Sequence, residues 1–219
     1  MLKNILLFPF GGNARESLNS IFAINNINKE WNVIGFIDSN RSIWGKTCCA
    51  VEVKGDKEIL RKFAGVYVLA VPGNPGNYLQ RSEIIASLGI KKSQFATIID
   101  PHVVLSPDSK IGYNTLLMPN VVIGCGVKIG NHCIVLSNTV IAHDSTVGDY
   151  CCIGSNVSIS GNVVVGAKCY IGSGVSIRNN VRIGGGSLIG IGSNVVSDIE
   201  ENIVAVGNPA KALRKSNLK

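Results

Sequence analysis

Nothing in this 219-residue sequence approaches the roughly 18 to 20 apolar residues of a membrane span. The N-terminal run Ile5 to Phe10 is too short for the core of a signal peptide and reads as a first strand. No two of the seven cysteines have CxxC spacing, and there is no secretory context, so neither a zinc site nor a disulfide framework is expected. These absences point to a reducing cytoplasm. A complete GxGxxG is missing, and the three histidines, His102, His132 and His143, share no spacing that would converge on a metal. The formal net charge is +7, yet the basic residues are scattered, with one cluster at Lys211, Arg214, Lys215 and Lys219. Small phosphorylated ligands account for that charge as well as nucleic acid does, and no nucleic-acid partner is expected.

What is present is a period. From Ile99 to Val195 an aliphatic residue returns at every sixth position without a miss, through Leu117, Ile141, Ile153, Ile171 and Ile189 among others. Six matches neither the 3.6 of a helix nor the alternation of an amphipathic strand, and it marks a stacked β-helix. Three hexads make one triangular coil, so at about 4.8 Å per coil the array is a prism roughly 27 Å tall. Its open ends need covering, and the segments on either side are placed to do so.

The three residues after each aliphatic form the turn. The first is often glycine, as at Gly112, Gly148 and Gly184, and the third is mostly Asn, Gly or Asp, which tolerate a left-handed backbone. His132 and Asp144 occupy that third position, so the turn alone explains them; Tyr150 and Lys168 are exceptions in residue type. Cys133, Cys151 and Cys169 stand 18 residues apart, two places before the aliphatic, in a column shared with Thr115 and Ser187. That spacing reads as an inert interior column of small side chains. His143 takes the middle turn position, where nothing about the repeat requires an imidazole. A solvated surface histidine is its plain reading, and His102 at the domain junction reads as structural.

The residues just before each aliphatic define three outer faces. One carries Leu116, Ile134, Cys152, Tyr170 and Leu188; the second Val122, Val140, Ser158, Ser176 and Asn194; the third Lys110, Lys128, Thr146, Val164 and Arg182. An apolar outward column marks an interface, so the expectation is a homo-oligomer packed through the first face with the third in solvent.

Residues 1–98 read as a separate α/β module. Strands at Leu2–Phe8, Trp31–Ile37 and Val66–Val71 alternate with helical stretches at Ala14 to about Ile24, Asp56–Phe63 and Tyr78–Leu88, which implies a small parallel sheet. Ligands of such sheets lie beyond the carboxyl ends of the strands, here the loops Phe10–Asn13, Asp38–Ser39 and Pro72–Asn74. Gly11 and Gly12 let a backbone approach a phosphate at a helix start, and Asp38 can accept from a ribose hydroxyl. A tight turn and a strand-end cap account for the same residues.

The small N-terminal domain, the hexad array, the segment Val140-Ile141-Ala142-His143-Asp144 and the closing run Val206-Gly207-Asn208-Pro209-Ala210-Lys211 together resemble the hexapeptide-repeat acyltransferases. The nearest branch holds the sialic acid O-acetyltransferases and the UDP-4-amino-sugar, bacillosamine-type N-acetyltransferases. The resemblance implies a Rossmann-like nucleotide-sugar-binding domain over residues 1–98, then a left-handed parallel β-helix with a C-terminal cap over residues 99–219, assembled as a homotrimer. It implies acetyl-CoA in a groove between prisms, a UDP-amino sugar or sialic-acid-like sugar as acceptor in surface glycan biosynthesis, and direct transfer without a metal. His143 matches the general base and Asp144 its acidic neighbour. Gly11, Gly12, Asn13, Asp38, Ser39 and Gly55 match the nucleotide-sugar contacts, and Ser173, Ile191 and Lys211 the coenzyme side. Cys152 stands where relatives often have a second histidine that contacts the acetyl carbonyl, Leu136 where an asparagine is common, and Pro9–Ala14 replaces a GASGHG-like loop. The alternatives are O-acetylation and a non-catalytic trimeric scaffold.

Overall fold

A computed structural model describes residues 2–216, so Lys219 of the basic cluster lies outside the described residues. In the first module β1 (Lys3–Phe8), β2 (Trp31–Ile37), β3 (Thr47–Cys48), β4 (Val51–Gly55) and β5 (Tyr67–Ala70) form one sheet in the order β3-β4-β2-β1-β5. β3 pairs antiparallel with β4 and the remaining pairs are parallel. The β3–β4 hairpin is an addition to the expected three strands, closed over Cys49 and Ala50, both at positive φ. Neither is a glycine or asparagine, so the usual turn signal was missing. α1 runs Gly12–Ile27, longer at both ends than expected. The stretch expected to be helical at Asp56–Phe63 is 3-10 over Lys57–Lys62. Tyr78–Leu88 divides into a 3-10 turn and a short helix α2 (Arg81–Ala86).

The array folds as its period dictates. Seventeen two-residue strands, from Ile98–Ile99 to Asn194–Val195, each end on the hexad aliphatic and stack in parallel with the strand 18 residues away. The third turn position is left-handed from Asn114 to Gly192, including Tyr150 at φ 62 and Lys168 at φ 57. Stacking register, not residue type, sets that backbone. The first-turn glycines have a different cause: a Cβ on Gly148 would stand 2.6 Å from the amide nitrogen of Ala167 in the next coil. Inside the prism Cys133, Cys151 and Cys169 are buried, each thiol donating to a carbonyl of the following coil as Thr115 and Ser187 do. The strands Ile203–Gly207 and Ala210–Lys215 close the far end as an antiparallel pair, the former continuing the first face.

The first face is covered by the chain itself at Leu116, Ile134 and Cys152. Leu116, Met118, Ile134 and Cys152 are buried in one cluster with Ala14, Leu18, Ile21 and Leu69 of the N-terminal module. This corrects the expectation drawn from that apolar column: its partner is the chain's own first domain. The exposed apolar residues instead include Val104 at 62% and Val140 at 40% on the second face. Two polar anchors fix the junction. Asn114 exchanges hydrogen bonds with both backbone groups of Ala70 at 2.8 Å. The fully buried guanidinium of Arg81 donates to the carbonyls of His132, Tyr150 and Cys151 at 2.7 to 2.9 Å. His132 lies between, stacked on Tyr150 and edge-on to Phe95 and Tyr113.

Candidate active site

His143 follows the strand Val140–Ile141 at the corner between the second and third faces. Its side chain is 61% exposed, and Nδ1 lies 3.0 Å from Oδ2 of Asp144. With the carboxylate accepting, Nδ1 carries the hydrogen and Nε2 is left with its lone pair outward. Asp144 can make this contact because its left-handed turn, at φ 58, sets its side chain beside the preceding ring.

The neighbouring coils hold space for the pair. A Cβ on Gly161, one coil above, would collide with Cε1 and Nε2 of His143, and a Cβ on Gly126, one coil below, would stand 2.6 Å from Oδ1 of Asp144. The sequence reading missed both glycines as site residues. The signal available was their distance of 18 residues from His143 and Asp144.

The loops after β1, β2 and β5 meet at one edge of the small sheet. Gly11 caps α1 without a side chain, so the first-turn amides stay available, and nothing crowds Gly12. The Asp38 carboxylate accepts from the amides of Phe10 at 3.0 Å and Asn40 at 2.9 Å, so it holds two loops together whatever else it binds. The Asn13 side chain donates to the carbonyls of Val71 and Gly73 and ties the first loop to the third. Gly55 ends β4, and its carbonyl accepts from the Asp38 amide. Ser39 lines a cavity of about 610 Å³ with Phe8, Arg41, Asp56, Ile84 and Leu88.

The residues matched to the coenzyme are not gathered in one place. Ser173 and the 80%-exposed Ile191 stack one coil apart at the corner between the first and second faces, a different corner from His143. Lys211 lies on the closing strand, lining a cavity of about 390 Å³ with Asp198 and Glu200. Cys152 belongs to neither group: it is 5% exposed beneath the nucleotide loops, with Sγ 2.9 Å from Nη1 of Arg81. Burial pushes its thiol pKa up, opposed by the guanidinium. Within one chain, therefore, His143 stands at a different corner of the prism from Ser173 and Ile191, and Lys211 lies on the closing strand.

Comparison with known proteins matches the bacterial transferase hexapeptide (six repeats) family over residues 108–143 and 126–161. The two matches overlap and together span residues 108–161 of the array. Solved structures extend the likeness in fold to both domains. The acetyltransferase domain of PglB from Neisseria gonorrhoeae is 23% identical with a TM-score of 0.81, covering 96% of this chain and 100% of its own. A histidine mutant of GDP-perosamine N-acetyl transferase from Caulobacter crescentus, in complex with CoA and GDP-perosamine, is 24% identical at TM-score 0.83, covering 97% of each chain. WeeI from Acinetobacter baumannii is 22% identical at TM-score 0.79, covering 97% of this chain and 100% of its own. No curated protein matches. The fold is thus the expected one, a Rossmann-like domain ahead of a left-handed parallel β-helix. Among the described residues no helix is long and apolar enough to cross a membrane.

Proposed function

We propose that this protein is an acetyl-CoA-dependent N-acetyltransferase acting on the amine of a nucleotide-linked amino sugar, with His143 as general base. The observation that carries the reading is the oriented pair His143–Asp144, an exposed imidazole with its outer nitrogen free and its inner nitrogen held by a carboxylate. As the sugar amine attacks the thioester carbon, Nε2 takes the amine proton; the new amide bond forms, the carbon–sulfur bond breaks, and the imidazolium returns the proton to the departing thiolate to release CoA. Asp144 fixes the tautomer and stabilises the imidazolium that forms. Similar structures solved with acetyl coenzyme A, and with CoA and GDP-perosamine, support this donor and acceptor class. Gly11, Gly12, Asn13, Asp38, Ser39 and Gly55 hold the nucleotide sugar, and Ser173, Ile191 and Lys211 the coenzyme.

Because His143 and the expected coenzyme corner at Ser173 and Ile191 are apart within one chain, the working site is assembled between copies. His143 of one prism serves the loops and coenzyme groove of its neighbour in a homotrimer. The exposed valines of the second face, Val104 and Val140, supply an apolar surface for that contact. The test is thiol release from acetyl-CoA against a panel of UDP- and GDP-linked amino sugars and free sialic acids, comparing wild type with His143→Ala. Transfer to an amino sugar, lost in the variant, is expected. Turnover that survives His143→Ala refutes the mechanism, and turnover with sialic acids alone makes the protein an O-acetyltransferase.

A further inference from the structure

Cys152 and Arg81 meet directly beneath the loop Pro72–Asn74. The loop can rest there because residue 73 has no side chain: a Cβ on Gly73 would lie 2.7 Å from Sγ of Cys152 and 3.3 Å from Nε of Arg81. From above, Asn13 donates to the carbonyl of Gly73 at 3.1 Å. From below, Arg81 is locked by three carbonyls belonging to two successive coils, and Nη1 reaches Sγ of Cys152 at 2.9 Å. A continuous path therefore runs from the nucleotide loop at Asn13, through Gly73 and Cys152, to the backbone of the array. Beside it a cavity of about 20 Å³, of the order of one water, is lined by Asn13, Gly73, Leu136, Cys152 and Tyr170.

We infer that Cys152 and Arg81 form the seat of the acceptor loop, so that Cys152 is a positioning residue for the nucleotide sugar and not a contact of the acyl donor. This deepens the proposed function and rests on it. The chemistry fits a seat better than a reacting group: the thiol is buried, faces a guanidinium already bound to backbone, and has no base beside it. A loop held from both sides keeps its backbone groups aimed at the ligand, and a misplacement of about an ångström at a positioning residue costs on the order of a hundredfold in rate.

The experiment pairs steady-state kinetics with hydrogen–deuterium exchange on the full chain and its Cys152→Ala and Cys152→Ser variants. Cys152→Ala is expected to raise KM for the nucleotide amino sugar on the order of tenfold while KM for acetyl-CoA stays within about twofold. Exchange at the amides of Gly73, Asn74, Gly76 and Asn77 rises, with the array coils unchanged, and Cys152→Ser, which keeps an acceptor for Arg81, recovers part of both effects. A raised KM for acetyl-CoA with an unchanged acceptor KM overturns the inference and returns Cys152 to the donor side; so does unchanged exchange of the loop. If the wild type acetylates no nucleotide sugar, the proposed function fails, while the exchange measurement still decides whether the seat orders the loop.

Discussion

The pH dependence of stability should be dominated by His132, and the effect can be worked out from its surroundings. The ring is 3% exposed among Phe95, Tyr113 and Tyr150, and its pKa is lowered to about 4 by burial and then by the Arg81 charge, against a smaller opposing pull from Asp149. In the unfolded chain a histidine titrates near 6.5. The folded state therefore binds fewer protons between these values. Stability from the neutral ring is complete above pH 6.5, falls as pH drops from 6.5 towards 4, and is flat below, a loss of about 3 kcal/mol per chain. The measurement is urea unfolding of wild type and His132→Asn across pH 7.5 to 4. Asparagine accepts the left-handed backbone found at this position (φ 58) and does not titrate, so carboxylate protonation common to both proteins cancels. The variant is less stable at pH 7.5 because the stacked ring is lost, and the gap should narrow by about 3 kcal/mol at pH 4. A gap that is independent of pH would refute the assignment.

Gly161→Ala places a methyl group against the His143 ring on a coil whose backbone accepts alanine. It should lower kcat at least on the order of tenfold with a small change in unfolding free energy, and a kcat equal to wild type would show the ring finds another place. Cys151→Ser should be tolerated to within about 1 kcal/mol in urea unfolding, because Ser187 and Thr115 make the same hydrogen bond in the same column. Ile153→Ala, one hexad aliphatic, should cost about 2 to 5 kcal/mol in the same assay. Val140→Lys should shift equilibrium sedimentation of the proposed trimer towards monomer and reduce turnover with it; an unchanged assembly would remove the second face from the interface.

The hexad spacing by itself determined most of this molecule. Because each coil lies directly on the one before, one residue in six must face inward, the third turn residue must turn left-handed, and positions 18 apart must form columns. The interior thiols, the turn histidine His132 and the exceptional His143 could therefore be placed by counting. Counting also put Leu116, Ile134 and Cys152 on an apolar outer face, but their covering depends on contacts with residues of the first module, far away in the sequence. Only the tertiary structure decided that α1 and the small sheet cover that face, which leaves Val104 and Val140 exposed on the second. The same limit hid the β3–β4 hairpin, whose turn residues are atypical, and the Arg81 guanidinium, which reads in sequence as an ordinary helix cation. It also hid the value of Gly161 and Gly73. A glycine declares that a side chain is missing, and the folded chain alone says which neighbour, His143 or Cys152, occupies the space.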